Sequence, residues 1–273
     1  MSALSIGRQP VLRLVTLGVL VTWIVGSVTA SLVTDLSSDL VVLLGAILVV
    51  SGPTVVIPIL RRLRPRPPTG PILRWEGIVI DPVGAMLAVL VFEVIVLGDP
   101  QGAAGHVVEG LLRTLAVGGG FGIAAGLGLA VILRYFWVPG NLENAVSLMF
   151  VVGVYTVAHA VQPESGLLAA VVMGVTLANQ RLVDVRHIVE FKENLRVLLI
   201  SSLFIVLAAR LPLAGLTQVL SKGLLFVLVL VAVARPLSVF ASTWKSNLSS
   251  AQRLFLCCMA PRGIVAAAIA SIF

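Results

Sequence analysis

Two acids, Glu76 and Asp81, stand five positions apart near the start of the largely apolar run at 75–97. A carboxylate at membrane depth costs at least about 3 kcal/mol, so it is expected to face protein or a water-filled cavity rather than lipid. Pro82 follows Asp81 directly. Within a helix a proline has no N–H to give to the carbonyl four residues earlier, here Ile78, and that oxygen becomes available as an ion ligand beside the carboxylate. Two readings stay open at this point. Glu76 and Asp81 are either a boundary acid and a buried packing acid, or two parts of one charged site.

The same chain places helix-breaking residues inside apolar runs at two positions. Ser51-Gly52-Pro53-Thr54 interrupts an aliphatic run at 40–60, and Ala260-Pro261-Arg262-Gly263 interrupts another at 254–273. Proline breaks the helical hydrogen-bond ladder, and glycine lowers the local preference for helix. In the topology derived below, the two interrupted runs cross the membrane in opposite directions. Paired discontinuous helices of opposite direction point to an inverted-repeat transporter whose site lies where the helices unwind. Arg262 at the second break could balance acidic groups or the carbonyl ends of half-helices. Arg235, just before Pro236, could pair with Glu76 or could extend to the headgroups.

Other polar or unusual residues weigh less. His159 reads as a packing residue in the fifth run, and Glu93 as an interfacial acid. Gly118-Gly119-Gly120, with Gly122, Gly126 and Gly128, suits close helix packing better than a phosphate loop. Cys257 and Cys258 are adjacent and, with three histidines in the chain, give no metal-ligand spacing.

These residues must be held by elements that composition already constrains. The chain is 59% hydrophobic and 11% charged, against about 25% charged in soluble domains. Lipid leaves backbone groups no outside partner, and the apolar runs are too long for barrel strands, so helices are expected. Runs fall at about 11–31, 40–60, 75–97, 110–133, 144–162, 165–179, 195–211, 214–240 and 254–273. The expected fold is therefore all-α: a polytopic integral membrane bundle of about nine spans with two broken crossing helices. Arg8 and Arg13, then Arg61, Arg62, Arg64, Arg66 and Arg74, then Arg134, then Arg181, Arg186, Lys192 and Arg196, then Arg235, Lys245 and Arg253 fall in alternate loops, on one side of a nine-span chain. Asp35, Asp39, Asp99, Glu109 and Glu164 fall on the other, with Arg113, Arg210 and Lys222 as exceptions. That asymmetry puts the N-terminus in the cytoplasm. It also accounts for the formal charge of +7 as a topology signal and argues against nucleic-acid binding.

Taken in order, GAILVVSGPTVV, WEGIVIDPVGAMLAVLVFE, ESGLLAAVVMGVTLANQR and MAPRGIVAAAIA resemble the sodium/proton antiporters of the monovalent cation:proton antiporter-1 family. The resemblance runs through essentially the whole chain. It implies that Ser51-Gly52-Pro53 occupies the family's Thr-Asp-Pro motif, and that Glu76 and Asp81 keep the spacing of its Glu and ion-binding Asp. Arg235 then corresponds to the arginine that pairs with that Glu, and Arg262-Gly263 to the Arg-Gly of the second unwound helix. Two positions depart from the pattern: Ile80 stands where the family has Asn, and Gly52 where it has Asp. The match begins after the family's first few spans and stops before its last. The chain thus reads as one exchanger domain over 1–273, shortened at both ends, and the apolar ending IVAAAIASIF fits that expectation.

The resemblance implies a secondary transporter in which Asp81 alternately binds a proton and a transient Na+ ion, with K+ or Li+ as other candidates. Ser51, carbonyls freed at Pro53 and Pro82, and water would complete the cation's oxygen shell, while Glu76, Arg235 and Arg262 provide structure and charge balance. No cofactor is expected. The expected setting is the cell membrane, with the lipid bilayer and a homodimer as partners. The competing reading is an inactive fragment or a channel-like, non-transporting protein of the same fold. An intramembrane enzyme is disfavoured, because no catalytic triad, paired metal-binding acids or HExxH motif appears.

Overall fold

The computed structural model describes residues 9–97, 100–163, 165–180, 182–183, 185–210, 216–260, 266 and 270. Its described elements are helical. A first helix spans Gln9–Val33, passing through a π-helical turn at Leu14–Gly18 into the regular α1 (Val19–Val33). Then follow α2 (Ser38–Ile47), α3 (Pro53–Leu63), α4 (Thr69–Leu97), α5 (Pro100–Arg134), α6 (Glu143–Val161), α7 (Ser165–Asn179) and α8 (Arg186–Arg210). Next, α9 (Leu216–Val229) continues through a second π-helical turn, Leu230–Ala234, into α10 (Arg235–Thr243), and α11 (Ser250–Cys258) closes the series.

Five described helices are long and apolar enough to cross a membrane: Gln9–Val33, Thr69–Val96, Glu109–Arg134, Glu143–Val161 and Lys222–Thr243. Their outward surfaces carry large apolar side chains such as Leu32, Val96 and Leu224, as a lipid-facing surface requires. The expected count of nine is not established. The second expected span is divided into α2 and α3, each too short to cross alone, and the sixth is the 15-residue α7. The second half of the ninth lies outside the described residues.

The chain divides into two compact units, residues 1–98 with 207–273, and residues 99–206. In the first unit, α1 and α2 approach closely where Gly26 and Gly45 meet, and the Trp23 indole donates to the Val42 carbonyl at 3.0 Å. Leu14, Ile72, Val239 and Leu256 form a core that gathers the first helix, α4, α10 and α11. A second cluster joins Ala30, Val41, Phe226 and Leu230. On the loop after α1, exposed Asp35 accepts from Lys222 at 2.5 Å, and that ammonium holds the Asp35 carboxyl below its ordinary pKa.

In the second unit, α5 and α7 pack through glycines spaced four apart. A Cβ at Gly122 would lie 2.6 Å from the Ala169 carbonyl oxygen, and one at Gly126 would lie 2.8 Å from Thr176. Gly119 and Gly120 face open space, so one side of the glycine-rich stretch makes the contact. His159 is exposed and stacks on Tyr155 with ring centroids 5.7 Å apart, and Glu93 is exposed near the end of α4.

Candidate functional site

The first interruption is a real break in the helix. After Ile47 the backbone tightens, with Val49 N–H donating to Ala46 and Val50 N–H to Ile47. Ser51 and Gly52 are non-helical, and α3 begins at Pro53. Proline suits the first helical position, where its missing N–H costs nothing. Gly52, in an extended conformation (φ −72°, ψ 152°), supplies no side-chain cap to the first turn of α3. The carbonyl end of α2 and the N–H end of α3 therefore face the gap between them, which is the charge distribution that discontinuous helices offer to ions.

That break rests on α4. Val50 is fully buried, and a Cβ added at Gly84 would overlap its side chain. Ile80, one turn earlier, packs with Val19 and Val49. Asp81 lies three residues before Gly84, on a neighbouring part of the α4 surface. Its Oδ1 is buried and has no hydrogen-bond partner among the described residues. Pro82, beside it, is buried inside the continuous α4.

Glu76 is in a different electrostatic position. Arg235 donates through Nη1 to Glu76 Oε1 and through Nη2 to Oε2, the latter at 3.0 Å. Both residues are buried, Glu76 at 3% exposure and Arg235 at 9%. Arg235 Nε also donates to the Leu256 carbonyl at 3.2 Å, near the end of α11. One guanidinium thus ties α4, α10 and α11 together. Its placement follows from local sequence: Pro236 cannot donate to the carbonyl of Ala232, and the helix passes through the π-helical turn Leu230–Ala234 immediately before Arg235.

Ser51, Glu76 and Arg235 line one small cavity of about 20 Å³, together with Thr22, Ser238 and Ala260. That is room for about one water molecule. Asp81 is not part of its lining. Thr22 and Ser238 had not stood out in the sequence, because hydroxyls in membrane helices commonly bond to their own backbone. Gly84 gave a weak signal, its three-residue distance from Asp81. At the second interruption, α11 starts with a capping box between Ser249 and Gln252 and ends at Cys258. Met259 and Ala260 are non-helical. Pro261, Arg262 and Gly263 lie outside the described residues.

A helical bundle with a discontinuous helix, a buried Glu–Arg clamp and an α4 acid whose Oδ1 is buried defines a polytopic membrane protein. The family described as sodium/hydrogen exchanger, transmembrane, matches residues 1–273, and the chain belongs to that family. It is 28% identical to Na(+)/H(+) antiporter 1 of Methanocaldococcus jannaschii over 96% of this chain and 63% of that protein. It is 28% identical to the K(+)/H(+) antiporter NhaP of Alkalimonas amylolytica over 95% of this chain and 45% of that protein. The solved structure of the sodium proton antiporter MjNhaP1 from M. jannaschii at pH 8 matches with a TM-score of 0.79 and 27% identity, covering 99% of this chain and 67% of that one. The chain therefore spans from under half to about two thirds of the length of these relatives.

Proposed function

We propose that this chain carries out secondary active exchange of a monovalent cation for a proton, with Asp81 binding each in turn. One observation carries the reading. Glu76 in α4 is neutralised by a bidentate arginine, whereas Asp81 in the same helix presents a buried oxygen that no described protein group satisfies. A carboxylate in that position needs either a proton or a cation. Competition between the two for one oxygen couples their movements.

In this proposal Ser51, backbone carbonyls at the α2–α3 break and the carbonyl of Ile78 freed by Pro82 supply further oxygens to the transient cation. Hard monovalent cations take oxygen ligands of this kind. Glu76 and Arg235 hold the half-helix ending at Cys258 against α4. Arg262, which the sequence places between the helix-breaking residue types Pro261 and Gly263, is assigned to charge balance. Relatives named for Na+ and for K+ support a monovalent cation, with Li+ as a third candidate. The proposal includes one exchanger domain over 1–273, a homodimer, and a cell-membrane location with the N-terminal side cytoplasmic. The arginines at 61, 62, 64, 66 and 74 support that orientation.

The test is proton movement in everted vesicles after a sodium or potassium pulse. An exchanger moves protons against the cation in a fixed ratio even when the membrane potential is clamped. Cation flux without proton counter-movement would instead indicate a channel and defeat the proposal.

A further inference from the structure

The arginines between α3 and α4 read in the sequence as a topology signal. In the structure, three of them build a pocket. Arg61, Arg64 and Arg74 line a concave space of about 370 Å³ whose apolar side includes Ile57, Leu60 and Trp75. From Leu40 to Trp75 the sequence contains five arginines and no acid. Arg64 and Arg74 are exposed. Arg64 closes α3 in the left-handed conformation (φ 44°, ψ 57°), a position that favours glycine, yet an arginine occupies it.

We propose that this pocket holds the headgroup of an anionic phospholipid, its phosphate between the guanidinium groups of Arg64 and Arg74. Guanidinium forks match phosphate oxygens in geometry and charge. Basic pockets beside membrane helices recognise acidic headgroups in this way. The lining also distinguishes a lipid from a soluble anion. Arg74 and Trp75 stand near the start of the apolar span Thr69–Val96, and tryptophan belongs at headgroup level. Ile57 and Leu60 offer an acyl chain a surface that a free phosphate would leave uncovered. The inference is independent of the exchange reading, since neither Arg64 nor Arg74 belongs to the site around Asp81.

The experiment is native mass spectrometry of the purified chain in neutral detergent, offered equal phosphatidylglycerol and phosphatidylcholine. The expected result is preferential retention of phosphatidylglycerol. Each basic side chain near an acidic headgroup contributes about fivefold. Retention is therefore expected to fall roughly 30-fold in the double variant Arg64→Gly, Arg74→Gln. Glycine suits the left-handed cap, so the turn survives that change, and the single variant Arg74→Gln gives an intermediate loss should the double variant fold poorly. Arg134→Gln, at the end of α5, is expected to leave retention unchanged. Equal retention of the two lipids, or selectivity untouched in the variants, would overturn the proposal. Full displacement of phosphatidylglycerol by millimolar inorganic phosphate would reassign the pocket to a soluble anion and overturn it too.

Discussion

At the scale of single residues, the site turns on how two carboxylates in one helix are treated differently. Glu76 accepts two hydrogen bonds from Arg235, and a buried pair of that kind is costly to break because the surviving charge is left unpaired. Arg235→Met is expected to cost about 3–5 kcal/mol, seen as a large drop in melting temperature. Adding Glu76→Leu to it is expected to recover much of the loss, since two apolar residues replace two matched charges. A double variant no more stable than the single one would show that the clamp acts through Leu256 rather than through Glu76. Asp81 and Pro82 were legible in the sequence because a charge and a proline are conspicuous among aliphatic residues. The partner of Glu76 was not fixed there: Arg235 is 159 residues away, and headgroup contact explained it equally well until the geometry joined the two.

At the scale of elements, the break between α2 and α3 depends on a residue that contributes no side chain. Gly84 lets Val50 lie against α4. Val50 is branched at Cβ and cannot swing aside cheaply, so Gly84→Ala is expected to destabilise by about 1–3 kcal/mol through overpacking. Val50→Ala is expected to rescue that variant, and a double-variant thermal melt checks the coupling. The break itself was legible from Ser51-Gly52-Pro53, but its support was not, because glycine is common in membrane helices and only contact reveals which one matters.

The α5–α7 packing makes the same point with an internal control. Gly122→Ala would press a methyl group against the Ala169 carbonyl and is expected to cost about 1–3 kcal/mol. Gly119→Ala meets nothing and is expected to be neutral or to gain up to about 1 kcal/mol from better helix propensity. Equal melting shifts in the two would contradict the packing. The four-residue spacing of Gly118, Gly122 and Gly126 was visible in the sequence, whereas the face chosen for contact was not.

At the scale of the whole molecule, Ser51, Glu76, Asp81 and Arg235 all belong to the first compact unit, which is built from residues 1–98 and 207–273. The two stretches are separated in sequence by the second unit, 99–206, yet Arg235 returns to bind Glu76. Composition alone made the all-helical membrane class legible, because so apolar a chain has few other ways to satisfy its backbone. The number of spans was less legible, since half-helices such as α2 and α3 are apolar but too short to be counted as crossings. The site's polar lining at Thr22 and Ser238 stayed hidden for the opposite reason, as neither residue is costly enough in a membrane to announce a function.

The central claim is that Asp81 carries both exchanged ions. Sodium-driven proton movement in everted vesicles, measured for the unmodified chain and for Asp81→Asn at matched protein levels, tests it most directly. The account predicts exchange in the unmodified chain and its loss in Asp81→Asn, with the variant melting no lower because the charge is removed from a carboxyl whose buried Oδ1 no described group satisfies. Undiminished exchange in Asp81→Asn would contradict it.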